Sequence, residues 1–256
     1  MAVLDHELGE LEYQVHPGTA PAPQLVLLHE GLGSVAQWGR LPARLATATG
    51  MTTLSYSRHG YGGSGGRFRG GDDYLLVEAD AVLPQVLNRV GAGTDPVLIG
   101  HSDGASIAIA YAARRPVRGL VLIAPHVVVE RRTIDGIRSA AATFEDTLAR
   151  SLRPYHDDPL ALFTAWSQTW LAPSFAAMDL TDRVARIDAP VLLVQGELDQ
   201  YGTAAQLDRI AATAAGPVRI AILPGISHHP HVEAATETLE LIRDFTNSLV
   251  SRDTVS

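Results

Sequence analysis

Five residues, Gly100-His101-Ser102-Asp103-Gly104, place a hydroxyl between two glycines, directly after the apolar run Val97-Leu98-Ile99 and directly before the small helix formers Ala105 to Ala113. Strand, tight turn and helix in that order present a serine on a strained corner. Small residues two before and two after it let strand and helix pass closely. The following helix sets its unpaired N–H groups and the positive end of its dipole beside any oxyanion formed at Ser102. A serine hydroxyl is a weak nucleophile that needs a base, and the base needs an orienting acid. Both types occur later in the chain, Asp199 in Gly196-Glu197-Leu198-Asp199-Gln200 and His228 in Pro224-Gly225-Ile226-Ser227-His228-His229-Pro230-His231. The order Ser102, Asp199, His228 is the one expected for a serine on such a corner, and the chemistry it would serve is acyl transfer.

These residues are useful only if the elements bring them together. Short runs rich in Val, Ile and Leu, without strict alternation, read as buried parallel strands: Gln24 to His29, Met51 to Tyr56, Pro96 to Gly100, Gly119 to Ala124, Pro190 to Gln195 and Val218 to Leu223. Helical patterns separate most of them: Val35 to Thr47, Asp72 to Val90, Gly104 to Arg114, Ala204 to Ala214 and Ala234 to Val250. The alternation predicts an α/β fold, a mostly parallel central sheet with helices on both faces. Asp199 and His228 then follow the C-terminal ends of strands, where the functional groups of such sheets collect. From His126 to Asp188 no strand signal appears. Ile134, Ile137, Ala141, Phe144 and Leu148 recur at three- and four-residue intervals, and Phe163, Trp166 and Trp170 do so after the breaking sequence His156-Asp157-Asp158-Pro159. This stretch reads as a helical cap, residues 126–188, inserted into a core of residues 1–125 and 189–256.

Composition removes several other chemistries. All basic residues are arginine, so lysine Schiff bases and a Walker-type phosphate loop are excluded. The chain has no cysteine, which excludes disulfides, thiolate metal sites and cysteine nucleophiles. A formal net charge of −8 without a basic cluster argues against nucleic acid as a partner. The apolar runs are shorter than the ~18 residues of a membrane span, so no membrane partner is expected either. Asp5, Glu7, Glu10 and Glu12 stand where a signal peptide would be basic and then apolar, which predicts a cytoplasmic protein. The sequence assigns no oligomeric state.

Three motifs, His29-Glu30-Gly31-Leu32-Gly33-Ser34, Ser57-Arg58-His59-Gly60-Tyr61-Gly62-Gly63-Ser64 and the Ser102 corner, resemble the oxyanion loop, glycine-rich connector and nucleophile elbow of the α/β-hydrolase superfamily. The likeness extends over nearly the whole chain and is to the branch with a serine nucleophile and a helical lid. It implies that the backbone N–H groups of Gly31 and Asp103 form the oxyanion hole, and that residues 126–188 are the lid. Two positions depart from the family pattern: Glu30 where Gly is usual, and Asp103 where a neutral residue is common. Both set carboxyl groups near an intended oxyanion, which they would oppose unless they turn away or stay protonated.

The same residues admit other readings. His228, His229, His231 and Glu233 are metal-binding types, but adjacent histidines tend to point apart, so no metal is expected. His229 is the alternative base and Glu197 the alternative acid. Phe163, Trp166 and Trp170 either line an apolar acyl pocket or hold the cap helices together. Arg58 either binds a substrate carboxylate or orders loops by hydrogen bonds to backbone. The expectation is a cofactor-free serine hydrolase acting on a small-molecule substrate, a small and mainly uncharged carboxylic ester or lactone. Haloperoxidase chemistry would be a side reaction. The alternatives are hydrolysis of a carbon–carbon bond in a β-diketone or dienoic acid, which would need Arg58 or a cap residue such as Arg138 for the substrate's carboxylate, and a ligand receptor on the same fold.

Overall fold

The computed structural model describes residues 1–7, 9–19 and 24–253, with side chains to 250. Eight strands form one sheet: β1 (Ala2–Leu4), β2 (Leu11–His16), β3 (Leu25–Leu28), β4 (Thr53–Tyr56), β5 (Val97–His101), β6 (Gly119–Ile123), β7 (Val191–Gly196) and β8 (Val218–Leu223). Their order is β1-β2-β4-β3-β5-β6-β7-β8; the β1–β2 and β2–β4 pairs are antiparallel and the remaining neighbours are parallel. All six expected strands are present. Sequence reading misses β1, which is only three residues long, and β2, where charged and polar residues interrupt the apolar pattern and Glu12 is buried by distant partners, Ser57 and the Gly63 N–H. β8 is an edge strand, with Ile220 and Ile222 exposed rather than buried.

The helices are α1 (Leu41–Thr49), α2 (Tyr74–Val77), α3 (Leu83–Arg89), α4 (Asp103–Ala112), α5 (Arg131–Ala142), α6 (Leu148–Leu152), α7 (Pro159–Leu171), α8 (Thr181–Val184), α9 (Ala204–Thr213), α10 (Pro230–Glu233) and α11 (Ala235–Asp253). A π-helical stretch, Glu78–Val82, joins α2 to α3. Pro84 explains the slip: it has no N–H for the Asp80 carbonyl four residues back, and Arg115 Nη2 donates to that oxygen instead at 2.9 Å. One face of the sheet packs on α1 and α11 through Trp38, Leu45, Ile242 and Phe245; the other packs on α4, the α2–α3 stretch and α9 through Ile107, Leu83 and Ile210. Each face removes a continuous apolar layer from water, the main favourable contribution to folding.

Residues 126–188 hold α5 to α8 and a short 3₁₀ turn, Phe175–Ala177, and no named strand. The two ends of this stretch meet in a bridge between Val128 and Asp179 and in the bond from Leu180 N–H to Val127 O, 2.8 Å. The amphipathic helix expected to run through Leu148 stops at Ala142. Of its expected apolar stripe, Ala141 is exposed, whereas Phe144 and Leu148 lie beyond its end. Thr143 and Thr147 each send a hydroxyl back to a carbonyl four residues earlier, the local competition that weakens helices at such residues.

Candidate active site

Ser102 sits between β5 and α4 with φ 53° and ψ −114°, a conformation that costs a residue with a Cβ of order 1 kcal/mol or more. The flanking glycines allow the corner. A Cβ on Gly104 would run into the Leu28 carbonyl, and one on Gly100 into the Gly104 carbonyl. Ser102 accepts no cap bond with its hydroxyl and lines a cavity of about 210 Å³. Asp103 is the first residue of α4, so its N–H has no partner within the helix.

Asp199 follows β7 and His228 follows β8, and the structure brings the two side chains together. His228 Nδ1 stands 2.9 Å from both Asp199 oxygens, which leaves the ring's Nε2 available to the cavity that His228 and Ser102 share. Asp199 is 2% exposed. Its Oδ1 accepts the N–H groups of Tyr201 at 2.7 Å and Gly202 at 3.2 Å, and its Oδ2 accepts from Gln195 Nε2 at 2.6 Å. Burial pushes the Asp199 carboxyl up, but the hydrogen bond and charge of His228 and the backbone N–H of Tyr201 outweigh it and hold it at about 2. Glu197 lies elsewhere, accepting the Gly225 N–H at 3.0 Å on the surface.

Gly31 follows β3 and lines the same cavity. A Cβ there would overlap the indole of Trp166. Trp166 and Trp170, both on α7, and Phe163 line the cavity and also pack on one another, so the two roles weighed for them coexist. The Asp103 carboxylate points away from the cavity mouth into a buried network. Its Oδ2 accepts from Tyr74 Oη at 2.6 Å and Trp166 Nε1 at 3.1 Å, with Arg58 Nη2 at 3.7 Å, and Trp170 Nε1 donates to Tyr74 Oη at 2.8 Å. Burial raises the Asp103 carboxyl; Arg58, Tyr74 and Trp166 oppose the rise without cancelling it. Arg58 is 5% exposed, donates to the Glu30 carbonyl at 2.8 Å and packs on the Tyr61 ring, so it orders loops. Among the described residues the cavity wall includes no arginine; Arg138 lies on the surface beside Asp135.

The second unusual carboxylate, Glu30, lines the cavity and turns toward His101 Nδ1, 3.4 Å away. Burial would raise its carboxyl, but the hydrogen bond to His101 and the nearby His229 and His231 bring it well below the usual range. The four metal-binding types weighed from sequence do not gather. Glu233 is occupied by the Ser227 N–H and hydroxyl and the His229 N–H, and His231 packs between Trp38 and His101. A different trio does gather: Glu30, His101 and His229 offer ligand atoms within 4.8 Å of one another.

Sequence reading missed His126 and Tyr201. His126 follows β6, lines the cavity and lies with its ring 5.9 Å from that of His228; burial first, then the His228 charge, lowers it to about 4. Tyr201 sets its ring edge-on to His228 at 4.8 Å. The signal was position: Pro125-His126 stands one residue past a predicted strand's C-terminal end, as Asp199 and His228 stand just past theirs.

A serine on a strained corner after the fifth strand, with an acid and a histidine after the last two, defines the α/β-hydrolase architecture. The chain belongs to the alpha/beta hydrolase family, whose model matches residues 25–241. It is 26% identical over 240 residues to an uncharacterized protein of Mycobacterium tuberculosis, covering 91% of this chain and 73% of that one. It is 27% identical over 213 residues to a non-heme haloperoxidase of Rhodococcus erythropolis, covering 70% and 76%. The crystal structure of the enol-lactonase from Burkholderia xenovorans superposes with a TM-score of 0.72 at 20% identity, covering 96% of this chain and 100% of that one, a likeness of fold.

Proposed function

We propose that the protein is a serine hydrolase of small, mainly uncharged carboxylic esters or lactones. The observation that carries this reading is the pairing of His228 Nδ1 with the buried Asp199 carboxylate, while His228 and the strained Ser102 open into one cavity. Asp199 fixes the tautomer with N–H at Nδ1, so Nε2 is the basic nitrogen. Ser102 Oγ attacks the carbonyl carbon as its proton passes to His228 Nε2, and the N–H groups of Gly31 and Asp103 receive the oxyanion. Collapse expels the alkoxide, which takes the proton from His228. Water then attacks the acyl-serine by the same route and releases the carboxylic acid. Residues 126–188 serve as the lid, and α7 supplies the apolar wall against the acyl group. No cofactor enters these steps.

The wall sets the substrate class. Leu32, Ile137, Leu152 and the α7 aromatics favour an apolar acyl chain, and a volume of about 210 Å³ limits its length. The ionised Glu30 on the same wall disfavours an anionic substrate. That also weighs against carbon–carbon bond hydrolysis of a carboxylate-bearing substrate, because Arg58 is engaged with Glu30 O and Asp103. The lactonase and haloperoxidase names among the similar proteins fit acyl-serine chemistry.

The test is intact-protein mass spectrometry after a fluorophosphonate probe, with Ser102→Ala as control, beside a chain-length series of p-nitrophenyl esters. The reading expects one adduct lost in the variant and turnover peaking at a short acyl length. A folded protein with neither adduct nor turnover would instead favour a receptor.

A further inference from the structure

We propose that Glu30, His101 and His229 form a binding site for a divalent transition-metal ion of the zinc class, with a fourth position open to the cavity that Ser102 lines. The reading goes beyond the hydrolase proposal and does not depend on it.

His101 is held in one orientation. Its Nε2 lies 2.8 Å from the carbonyl oxygen of His228, an acceptor only, so that nitrogen must carry a hydrogen. A neutral ring then has a lone pair on Nδ1, and Nδ1 faces Glu30 Oε2 at 3.4 Å. Two acceptors face each other across that gap, so something positive must lie between them, either a second ring proton or a cation. The spacing suits a cation. Ligands bound at about 2.1 Å in a tetrahedral site stand roughly 3.4 Å apart.

An outer shell is in place as well. A metal-binding histidine usually donates its other ring N–H to a carbonyl or carboxylate, which fixes the tautomer and turns the lone pair on the ion. His101 is already held in that way by His228 O. Glu30 is also held. Its carboxylate folds over Gly33, where a Cβ would occupy its place, and its own carbonyl accepts from Arg58 Nη2. His229 completes the set; its backbone N–H is fixed by Glu233 and its ring meets that of His101 at 5.1 Å.

One carboxylate and two imidazoles suit zinc, and three protein ligands with an open fourth position are the arrangement in which zinc takes an exchangeable group. Glu30 and His229 line the cavity, so the open position faces it. A bound ion would replace the negative charge that Glu30 sets on that wall with a positive one.

The test uses the full-length protein after chelation and removal of the chelator. Calorimetric titration with Zn²⁺ is run alongside the visible absorption of the Co²⁺-loaded protein. One equivalent should bind, and the Co²⁺ spectrum should have the strong bands of a four-coordinate site. Glu30→Gln and His229→Asn should each weaken binding by at least roughly tenfold, whereas Glu197→Gln, at a surface carboxylate outside the trio, should leave it unchanged. Absence of saturable binding by the folded wild-type protein would overturn the proposal and leave a buried imidazolium–carboxylate pair only. Undiminished affinity in both variants would overturn it too, by placing the ion elsewhere. The wild-type spectrum decides the coordination even if a variant fails to fold.

Discussion

Substituting asparagine for Asp199 separates orientation of the base from stability of the fold. The carboxylate is surrounded by N–H donors from Tyr201, Gly202, Gln195 and His228, and its folded value of about 2 against an ordinary 3.8 corresponds to about 2 kcal/mol at neutral pH. Because the folded value is the lower one, that stability is present above about pH 4 and is lost as the pH falls through 2. In Asp199→Asn the oxygen can stay on the two backbone N–H groups, which sets the new NH₂ against Gln195 Nε2. A flip of the Gln195 amide removes the conflict, since its Oε1 is buried without a partner. The Gln195 flip does nothing for His228. There the new NH₂ stands 2.9 Å from Nδ1 while the oxygen is taken up by the Tyr201 and Gly202 N–H groups, which favours a lone pair on Nδ1 and the proton on Nε2, the tautomer that cannot take the proton of Ser102. Turnover of the best p-nitrophenyl ester should therefore drop by about 10⁴-fold, or about 5 kcal/mol. Calorimetry should show Tm lower by only about 4–8 °C. Glu197→Gln should change neither. An asparagine variant retaining more than about a tenth of wild-type kcat/KM would refute the role given to Asp199, and loss in the Glu197 variant instead would move the orienting acid there.

Ser102→Ala should lower turnover by about 10⁴-fold or more with the fold intact, as read by ester hydrolysis and circular dichroism. Ser102→Gly should be equally inactive yet more stable than the alanine variant by about 1 kcal/mol, because glycine accepts φ 53° without strain; matched Tm values for the two would count against strain at the corner. Gly31→Ala should displace the Trp166 indole that its Cβ would overlap, costing at least about tenfold in kcat/KM for short esters while the circular dichroism spectrum stays native.

The readily legible parts of the molecule were those set by local sterics. Gly100 and Gly104 flank Ser102 because carbonyl groups stand where their side chains would be, and a short apolar, partly β-branched run such as Leu120-Val121-Leu122-Ile123, bounded by Gly119 and Pro125, reads as a strand from its own residues. What stayed hidden depends on partners far along the chain. Glu12 reads as part of an acidic leader until Ser57, Gly63 and Ser64 arrive to bury it. His101 reads as filler in the elbow until the His228 carbonyl, 127 residues later, fixes its tautomer. The aromatic spacing of Phe163, Trp166 and Trp170 announces a helix, but that its face both lines the cavity and ties to the Ser102 corner depends on Gly31 and Asp103, on other elements.

Of the two carboxylates beside the proposed oxyanion hole, Asp103 is kept from opposing an oxyanion by what it binds, whereas Glu30 keeps its charge on the cavity wall. Glu30 is turned onto His101, and Asp103 is turned inward to serve as the acceptor that ties α7 to the elbow. Burial raises the Asp103 carboxyl, so its charge is a net cost to the fold at neutral pH. A group whose folded value is raised favours folding below its unfolded value, and that contribution is lost as the pH climbs through the folded one. The useful property is then the acceptor oxygen rather than the charge. Asp103→Asn can keep an oxygen on Tyr74 and Trp166, with its NH₂ replacing the Oδ1 that has no partner now. Stability within about 1 kcal/mol of wild type and a nearly unchanged KM are expected. Asp103→Ala strands two buried donors, which should cost about 3 kcal/mol or more, lower Tm by about 6–12 °C and raise KM more than it lowers kcat as the Trp166 wall loosens. If asparagine proves as damaging as alanine in calorimetry, the carboxylate serves as counter-charge to the buried Arg58, and its retention beside the proposed oxyanion hole has an electrostatic cause rather than a hydrogen-bonding one.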